Sequence, residues 1–280
     1  MRVVLSAAAA ERAAAVAAWD EEAVPLSPAA TVVLLRGSPD GGIEIYLQRR
    51  HRRLAFAGGM YAFPGGRVDP ADGDLPDHLW AGPTPQKWRD RFAARDLVEA
   101  RAHVVGVVRE LFEETGVLLA RRAHDESTWP SETDRRAVSE GRLLADVLDQ
   151  HGLAVDTAAL TAWSRWVTPR FERRRFDAWF FAAALPDGQD PRAATDESHE
   201  GRWASPRDIL TQQASGELAM LPPTWWTVRE LASAGDVDDA RDRAPAMARH
   251  TVGWTRDGDD VVMVMPDDPA YPGDDPREGS

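Results

Sequence analysis

The sequence predicts an α/β (α+β) layered domain, because strand-like and helix-like runs mix along the whole chain. A β-branched apolar run at 29–36 predicts a buried strand. The alternating apolar and polar residues at 43–48 predict a half-buried strand that pairs with it as a hairpin. The apolar spacing at 103–115 predicts a helix with one face against a sheet. Runs of this kind build folds in which helices cover a sheet.

Composition limits the classes of protein to which the chain can belong. The 280 residues are 43% hydrophobic and 28% charged, which is ordinary for a soluble globular protein. The net charge of −13 argues against non-specific nucleic-acid binding, which needs a positive surface. The chain has no cysteine, so disulfides, thiolate catalysis and cysteine-ligated zinc are excluded. A chain without cysteine fits a reducing compartment, and we expect a cytoplasmic protein.

The two ends of the chain predict segments outside the main domain. Residues 6–22 are rich in alanine and predict an amphipathic helix, so we expect a helical extension at 1–26. Glu11 and Arg12 interrupt the first apolar run, whereas a membrane span needs about 20 apolar residues, and we expect no membrane partner. Residues 267–280 are dense in Asp, Pro and Gly and predict a disordered tail.

The middle of the chain predicts further elements on both sides of the 103–115 helix. A short strand at 60–63 precedes Pro64-Gly65-Gly66, and Gly116 predicts a left-handed cap that ends the helix. The other predicted elements are, in chain order, a loop at 69–85, helices at 86–101 and 131–150, strands at 160–168, 176–185 and 201–204, helices at 206–214 and 222–234, and a strand at 261–265.

The last turn of the 103–115 helix carries the residues with the clearest chemistry. Glu110, Glu113 and Glu114 have the i, i+3, i+4 spacing that places side chains on one helix face. Arg109 precedes Glu113 by four residues, so it can pair with that carboxylate and fix its rotamer. The opposite side is apolar and can pack on a sheet. Three glutamates alone also fit a solvated acidic face.

A bound cation would remove the electrostatic cost of this acidic turn. Like charges at this spacing repel, and the C-terminal end of a helix disfavours negative charge. Oxygen-only ligands favour Mg²⁺ or Mn²⁺ over zinc. Upstream, Gly65 and Gly66 offer an open backbone suited to approaching a phosphate or packing against the helix.

These residues resemble the Nudix box, G-x5-E-x7-R-E-U-x-E-E-x-G-U, in which U is apolar. Residues 109–117 match its second half at every specified position, and Gly66 matches its first glycine. The resemblance implies a Nudix-type α/β/α sandwich with a mixed β-sheet at 27–266. It also implies an enzyme whose Arg109, Glu110, Glu113 and Glu114 form the catalytic site, with Mg²⁺ or Mn²⁺ held by the three glutamates.

Two departures from the pattern stand out. Forty-two residues separate Gly66 from Arg109 where the pattern has 13, which implies a helical insertion at about 69–100. We expect this insertion to form a lid or a pocket wall, as inserts on functional loops often do. The pattern places its first Glu eight residues before its Arg, and that position is Arg101 in this chain. We therefore expect this carboxylate of the pattern to be missing.

The long insertion resembles the coenzyme A diphosphatase branch of the family, of the peroxisomal type. Arg50 and the Gly59-x3-Phe63-Pro64-Gly65-Gly66 spacing match parts of a coenzyme A signature, although Ala55 and Gln48 depart from it. The resemblance implies that Gly65, Gly66 and Arg50 bind substrate. For two sets of residues the interpretation stays open. Glu197 or Glu200 could be a further metal ligand or a base, or they could be carboxylates on the rim of the site. Arg170 or Arg175, in the basic cluster at 170–175, could bind phosphate, or the cluster could be a solvated charge run.

The resemblance therefore implies hydrolysis of a diphosphate bond in a small nucleotide diphosphate, with coenzyme A or acyl-coenzyme A as the first candidate. The alternatives within the family are ADP-ribose, a dinucleotide such as NADH, or an oxidised nucleoside triphosphate. A further alternative is a sensor that binds a nucleotide without cleaving it. A homodimer is compatible with the sequence, and no nucleic-acid partner is expected.

Overall fold

Two neighbouring strands form the hairpin that the sequence predicts. Strand β2 spans Leu26–Gly37 and strand β3 spans Ile43–Arg50, and they pair antiparallel with Leu35 opposite Ile45. The connecting turn contains Gly41 and Gly42, both with positive φ, a conformation that glycine adopts without strain. The hairpin prediction is confirmed, and both strands are longer than expected.

The structure is a computed structural model that describes residues 3–4, 10–11, 13, 24–53, 57–192, 198–245, 247–258 and 260–271. Its contacts divide the chain into two compact units. The larger unit comprises 29–163 and 179–247, and the smaller unit comprises 1–28, 164–178 and 248–280. The domain boundaries expected from the sequence, at 26 and 266, stay a prediction.

The main sheet of the larger unit is built around this hairpin. In it, β11 (Ser198–Ala204), β3, β2, β10 (Arg175–Ala184) and β9 (Leu160–Val167) lie side by side in that order. Two short strands extend it, because β4 (Tyr61–Ala62) pairs with β3 and β5 (Gly65–Arg67) pairs with β2. Strand β11 runs antiparallel to β3, with a bulge between Ser198 and Glu200.

Both faces of this sheet are buried. Val32 and Leu34 point to one face and Val33 and Leu35 to the other, and all four are fully buried. The first face packs against helix α2 (Leu97–Thr115) in one hydrophobic core. On the other side, helix α6 (Pro222–Leu231) receives a hydrogen bond from the β9 indole of Trp163. Helices therefore cover a central sheet, as predicted.

The insertion contains more regular structure than the sequence predicted. The expected loop holds two 3₁₀ helices, Pro70–Asp74 and Asp77–Leu79, and the short strand β6 (Trp80–Ala81). The prediction of a single helix at 86–101 is wrong. Helix α1 spans Pro85–Phe92 and ends at Ala93, whose φ of 49° is left-handed. Asp96 then caps α2, so the helix expected at 103 begins at Leu97.

The segment after α2 folds back as a second small layer. It comprises β7 (Ala120–Arg122), α3 (Glu132–Ser139), α4 (Leu144–His151), β8 (Leu153–Asp156) and a 3₁₀ helix at Thr157–Ala159. Strands β6, β8 and β7 form a three-stranded sheet in that order. The prediction of a single helix at 131–150 is wrong. Gly141 takes a φ of 103°, which interrupts the helix after α3.

The remaining helices close the larger unit. Helix α5 (Pro206–Ser215) starts after Ser205, whose side chain accepts from the backbone N–H of Asp208. Helix α6 ends three residues before the predicted boundary at 234. Helix α7 (Val237–Asp242), capped by Asp236, was not predicted, because six residues are too few for a periodic apolar pattern.

The smaller unit contains a separate three-stranded sheet. Strands β1 (Val3–Val4), β14 (Asp260–Val264) and β13 (Gly253–Asp257) lie in that order, and β12 (Arg249–Thr251) pairs in parallel with Arg165–Val167 of β9. The predicted N-terminal helix falls almost wholly outside the described residues. In the predicted tail, the Tyr271 hydroxyl donates to the Thr251 carbonyl at 3.1 Å, and 272–280 lie outside the described residues.

Among the described residues, no helix combines the length and the apolar character that crossing a membrane requires.

We predict that the insertion is part of the core and not a detachable lid. Phe92 of α1 is 1% exposed and stacks on Trp179 of the main sheet, with ring centroids 4.2 Å apart. Phe92→Ala should lower the free energy of unfolding in urea by about 3–5 kcal/mol. The control is Leu97→Ala, at a residue 44% exposed, which should change it by about 0.5 kcal/mol or less. Equal effects of the two substitutions would show that α1 is not held in the core.

Candidate active site

The acidic turn lies at the C-terminal end of α2, as predicted. Gly116 has a φ of 77°, and its N–H donates to the Phe112 carbonyl at 2.8 Å, which ends the helix directly after the glutamates. The opposite face is buried against the sheet, which fixes the rotation of the helix about its axis. Its fully or nearly fully buried residues are Val104, Val105, Val108, Leu111 and Phe112.

Arg109 organises this turn through five hydrogen bonds. Its Nη1 donates to Glu110 Oε1 at 3.0 Å and to Glu113 Oε1 at 2.7 Å. Its Nε and Nη2 grip the two carboxylate oxygens of Asp72 at 2.9 and 3.0 Å, and Nη2 also donates to the Arg67 carbonyl at 2.8 Å. A guanidinium has five N–H groups, so Arg109 is fully used inside the protein. The predicted pairing with Glu113 is confirmed.

Asp72 corrects the expectation that the first carboxylate of the Nudix pattern is missing. Counted forward from Gly66, the pattern places this carboxylate six residues later, at Asp72. Because the insertion lies between Asp72 and Arg109, the position eight residues before Arg109 is Arg101 and not this carboxylate. Arg101 instead donates to the Leu75 carbonyl at 2.7 Å and so holds the insertion in place. The insertion thus follows the carboxylate, which keeps the spacing from Gly66 that the pattern specifies.

Local structure brings Asp72 close to the helix. Its Oδ2 accepts the backbone N–H of Asp69 at 2.8 Å in a capping box, which fixes the 3₁₀ turn. Gly106, in the middle of α2, faces it. A Cβ at Gly106 would lie 2.9 Å from Asp72 Oδ2, so only glycine leaves room for this carboxylate. Asp72 is 5% exposed, and the ion pair with Arg109 is therefore shielded from solvent.

Glu110 and Glu114 lie against one glycine dipeptide. A Cβ at Gly66 would lie 2.5 Å from Glu110 Oε2. Glu114 Oε2 accepts the backbone N–H of Gly65 at 3.0 Å and the side-chain amide of Gln48 at 3.4 Å. The predicted open backbone at Gly65-Gly66 therefore packs against the acidic turn, and it places two of the three carboxylates within reach of β5.

Gly65 itself has no room for a side chain. Its φ is 150°, and a Cβ there would lie 2.4 Å from the Ala30 carbonyl oxygen and 2.7 Å from Thr31 Cα. Because β2 passes so closely behind it, the Gly65 N–H is directed at Glu114. This backbone geometry is what couples the strand to the helix.

Burial shifts the protonation of Glu110. Desolvation raises the pKa of Glu110 to about 7 and outweighs the lowering effect of the Arg109 charge; the Glu113 charge raises it further. Burial by itself would lower the pKa of Arg109, but its bonds to Asp72 and the charges of Asp72 and Glu110 raise it above the usual range. Arg109 therefore stays positively charged and binds the carboxylates, whereas burial disfavours the negative charge of Glu110.

The other predicted site residues differ in their surroundings. Glu200 is exposed and lies 3.6 Å from the Arg49 guanidinium, and Glu197 is outside the described residues. Arg50 lies on the same strand face as Gln48, which touches Glu114. Its buried Nε has no hydrogen-bond partner within the described part of the chain. The backbone of Arg50 thus lies about 7 Å along the strand from that of Gln48, the residue that contacts the acidic turn.

Arg170 and Arg175 belong to the smaller unit. Arg175 is 5% exposed, and its guanidinium donates to the carbonyls of Thr168 at 3.1 Å and Val24 at 3.0 Å, so it holds backbone segments of that unit. The Nε of Arg170 is buried without a hydrogen-bond partner among the described residues. Their predicted role in binding phosphate stays a prediction.

The donor set at the acidic turn fits a hard divalent cation. Its ligands are carboxylate oxygens only, which suits Mg²⁺ and Mn²⁺. A cation would also compensate the partly buried charges of Glu110 and Glu113, whose side chains are 15% and 20% exposed. Across the described ranges, no three Asp, Glu or His side chains converge on one point, because Arg109 binds Glu110 and Glu113 while Gly65 binds Glu114. A cation would have to draw these carboxylates together.

The fold matches that of a solved Nudix hydrolase. The crystal structure of a Nudix hydrolase from Alicyclobacillus acidocaldarius is 29% identical and has a TM-score of 0.68, over 78% of this chain and 96% of that chain. The fold and the acidic turn therefore define a protein of the Nudix hydrolase class, and the expected Nudix-type sandwich is confirmed.

The family can be stated more narrowly. The family model of the NUDT19 Nudix domain matches residues 84–231, more than half of the chain, and the chain belongs to this enzyme family. One relative is acyl-coenzyme A diphosphatase NUDT19 of Homo sapiens, 28% identical over 73% of this chain and 64% of the relative. The Gallus gallus protein of the same name is 26% identical over 88% of this chain and 80% of the relative. The chain thus spans less than two thirds of the human relative.

We predict that a single methyl group at Gly66 disturbs the acidic turn. Gly66→Ala should displace the Glu110 carboxylate, because the new Cβ would overlap it. The displacement should weaken Mn²⁺ binding, measured by electron paramagnetic resonance, by roughly tenfold. The matched control is Gly37→Ala, where a Cβ would meet no atom within 4 Å. If both variants bound Mn²⁺ like the wild type, Gly66 would have no part in placing Glu110.

We also predict that Glu110 makes the metal-free fold less stable as the pH rises. The folded-state pKa of about 7 exceeds the ordinary 4.5, so ionisation costs folding free energy between these pH values. In buffer with chelator, Glu110→Gln should therefore be more stable than the wild type at pH 8, by about 3 kcal/mol at most. The difference should vanish towards pH 4.5. Urea unfolding across this range measures it, and a difference that does not depend on pH would contradict the burial argument.

Proposed function

We propose that the protein hydrolyses the diphosphate bond of coenzyme A or acyl-coenzyme A with the aid of Mg²⁺ or Mn²⁺. The observation that carries the proposal is the turn in which Arg109 binds Glu110 and Glu113 while Glu114 accepts the Gly65 N–H of β5, the glycine strand. The substrate class comes from the two relatives, both of which are called acyl-coenzyme A diphosphatases. The match to parts of the coenzyme A signature at Arg50 and 59–66 supports it further.

In this proposal Glu110, Glu113 and Glu114 hold the cation. When bound, the cation neutralises diphosphate charge and makes an attacking water more acidic. Arg109 does not touch substrate, because its five donors are already used within the protein. Its role is to keep two of the carboxylates in place, and Asp72 keeps Arg109 in place in turn.

The substrate anion needs a positive partner that the acidic turn cannot supply. Arg50 is the best placed of the predicted residues, because its buried Nε has no hydrogen-bond partner within the described ranges and its strand face carries Gln48 beside Glu114. A guanidinium binds phosphate oxygens through paired N–H groups. Arg50 would therefore orient the diphosphate, and its loss should raise KM more than it lowers kcat.

A carboxylate must also take the proton of the attacking water. Glu110, Glu197 and Glu200 are the candidates. Glu110 lies directly against Gly66 of the glycine strand, whereas Glu200 is engaged with Arg49 at 3.6 Å. We propose in addition a cytoplasmic location, which subcellular fractionation would test.

We predict that Glu114→Gln abolishes turnover while the fold stays intact. The neutral amide is the same size but a poor cation ligand, so kcat should fall by roughly 100-fold or more. Hydrolysis of coenzyme A, acetyl-coenzyme A, ADP-ribose, NADH and 8-oxo-dGTP with Mg²⁺ or Mn²⁺ should be measured by product separation. The coenzyme A substrates should have the highest kcat/KM, and their products should include adenosine 3′,5′-bisphosphate.

The matched control is Glu140→Gln at the exposed end of α3, which removes the same charge away from the turn. It should keep wild-type kcat. Faster turnover of ADP-ribose than of coenzyme A would refute the substrate assignment. A wild type that binds these nucleotides without hydrolysing any of them would instead be a sensor.

A further inference from the structure

The C-terminal end of α2 concentrates negative charge. Three glutamates lie in its last two turns, no basic residue lies in its last turn, and the helix dipole is negative at this end. The last carbonyl groups also lack partners within the helix. Gly116 satisfies the carbonyl of Phe112 only. The remaining carbonyls need donors from other segments if the turn is to keep its shape.

Apolar packing on the sheet holds this helix end but supplies no hydrogen-bond donors to its carbonyl groups. An open cleft of about 520 Å³ adjoins this helix end and is lined in part by Phe112, Thr115 and Gly116. Phe112 and Thr115 are 3% and 1% exposed, so of these three residues only Gly116 is open to solvent. Side-chain packing does not satisfy the free carbonyl groups, which need hydrogen-bond donors from the cleft wall.

Arg135, in helix α3, supplies such a bond. Its Nη1 donates to the backbone carbonyl of Glu113, 22 positions earlier in the chain. Its Nε donates to Glu132 Oε2 at 2.8 Å and its Nη2 to Glu132 Oε1, so the guanidinium is held flat between the two partners. The Arg135 side chain is 12% exposed. A cation at the negative end of the dipole opposes the charge of the glutamates.

Helix α3, which carries Arg135, is itself held in place by hydrogen bonds. Helix α3 begins with a capping box between Ser131 and Asp134. Asp134 is 9% exposed, and its carboxylate also meets His151 Nε2 at 3.3 Å. A second bond, from the Arg192 N–H to the Thr115 carbonyl at 2.9 Å, holds the same helix end from the loop after β10. The helix that carries Arg135 is therefore well fixed, and so is the position from which Arg135 donates.

We propose that Arg135 is a positioning residue for the cation ligands Glu113 and Glu114, acting on the backbone of Glu113 and not on any substrate. Because the Glu113 carbonyl is fixed, the Cα–Cβ directions of Glu113 and Glu114 are fixed with it. Without Arg135 the last turn frays, and the backbone positions from which the Glu113 and Glu114 side chains extend are no longer fixed. This inference rests on the proposed function, because it presumes a cation at these glutamates.

The test measures Mn²⁺ binding directly, by electron paramagnetic resonance titration of the full chain without substrate. Arg135→Ala should weaken Mn²⁺ binding by roughly tenfold, as loss of outer hydrogen bonds to metal ligands does. Arg135→Lys should recover part of that loss, because an ammonium can still donate to the carbonyl but cannot also bind Glu132 at two points. Glu132→Gln, which leaves Arg135 in place, should give a smaller loss.

The matched control is Arg136→Ala, which removes the same charge from an exposed neighbouring position on α3. It should bind Mn²⁺ like the wild type. If Arg135→Ala lowers the melting temperature yet binds Mn²⁺ as tightly as Arg136→Ala, Arg135 is merely structural and the proposal is wrong. If Arg135→Ala does not fold, Arg135→Lys and Glu132→Gln decide the question in the same way.

Failure of the proposed function gives a different result. A wild type that binds Mn²⁺ but hydrolyses no diphosphate would refute the function and leave the Arg135 comparison valid. A wild type that binds no Mn²⁺ would overturn both.

Discussion

The arrangement of the site depends on the bidentate ion pair between Arg109 and Asp72. It joins the segment before the insertion to the last turns of α2, at 2.9 and 3.0 Å and with little solvent access. Because the same guanidinium also binds Glu110, Glu113 and the Arg67 carbonyl, the two glutamates, strand β5 and Asp72 share one hydrogen-bond network. A buried pair of this kind is costly to break, since the partner left behind is an uncompensated charge. Asp72 and α2 are therefore the two fixed ends of the insertion.

Close approach of backbones makes this network possible. Gly65, Gly66 and Gly106 each stand where a Cβ would lie within 3 Å of another atom. At Gly66 and Gly106 those atoms are the carboxylates of Glu110 and Asp72. Glycine weakens a helix or strand by roughly 0.5–1 kcal/mol relative to alanine. These positions lower local stability so that charged groups can meet, which is typical of functional sites.

The sequence predicted the acidic turn well and its partners poorly. The spacing of Glu110, Glu113 and Glu114 and the cap at Gly116 depend only on residues within one or two turns, so periodicity revealed them. Asp72 was missed because it lies on the far side of the insertion from Arg109, 37 positions away, although it lies only six residues after Gly66. Glu132 and Arg135 were missed for a similar reason, since nothing in the α3 sequence indicates which helix end they meet. The break at Ala93 was missed because alanine seldom takes a left-handed conformation.

By itself the sequence determined the fold class, the central hairpin, the acidic helix end and the glycine strand facing it. Each follows from local spacing, propensity or backbone freedom. Only the tertiary structure decided which carboxylate restrains Arg109, that the insertion is packed into the core through Phe92, and that Arg135 holds the end of α2. The physical reason is that these contacts join segments far apart in the chain. Their geometry depends on how the intervening layers pack, which no local pattern encodes.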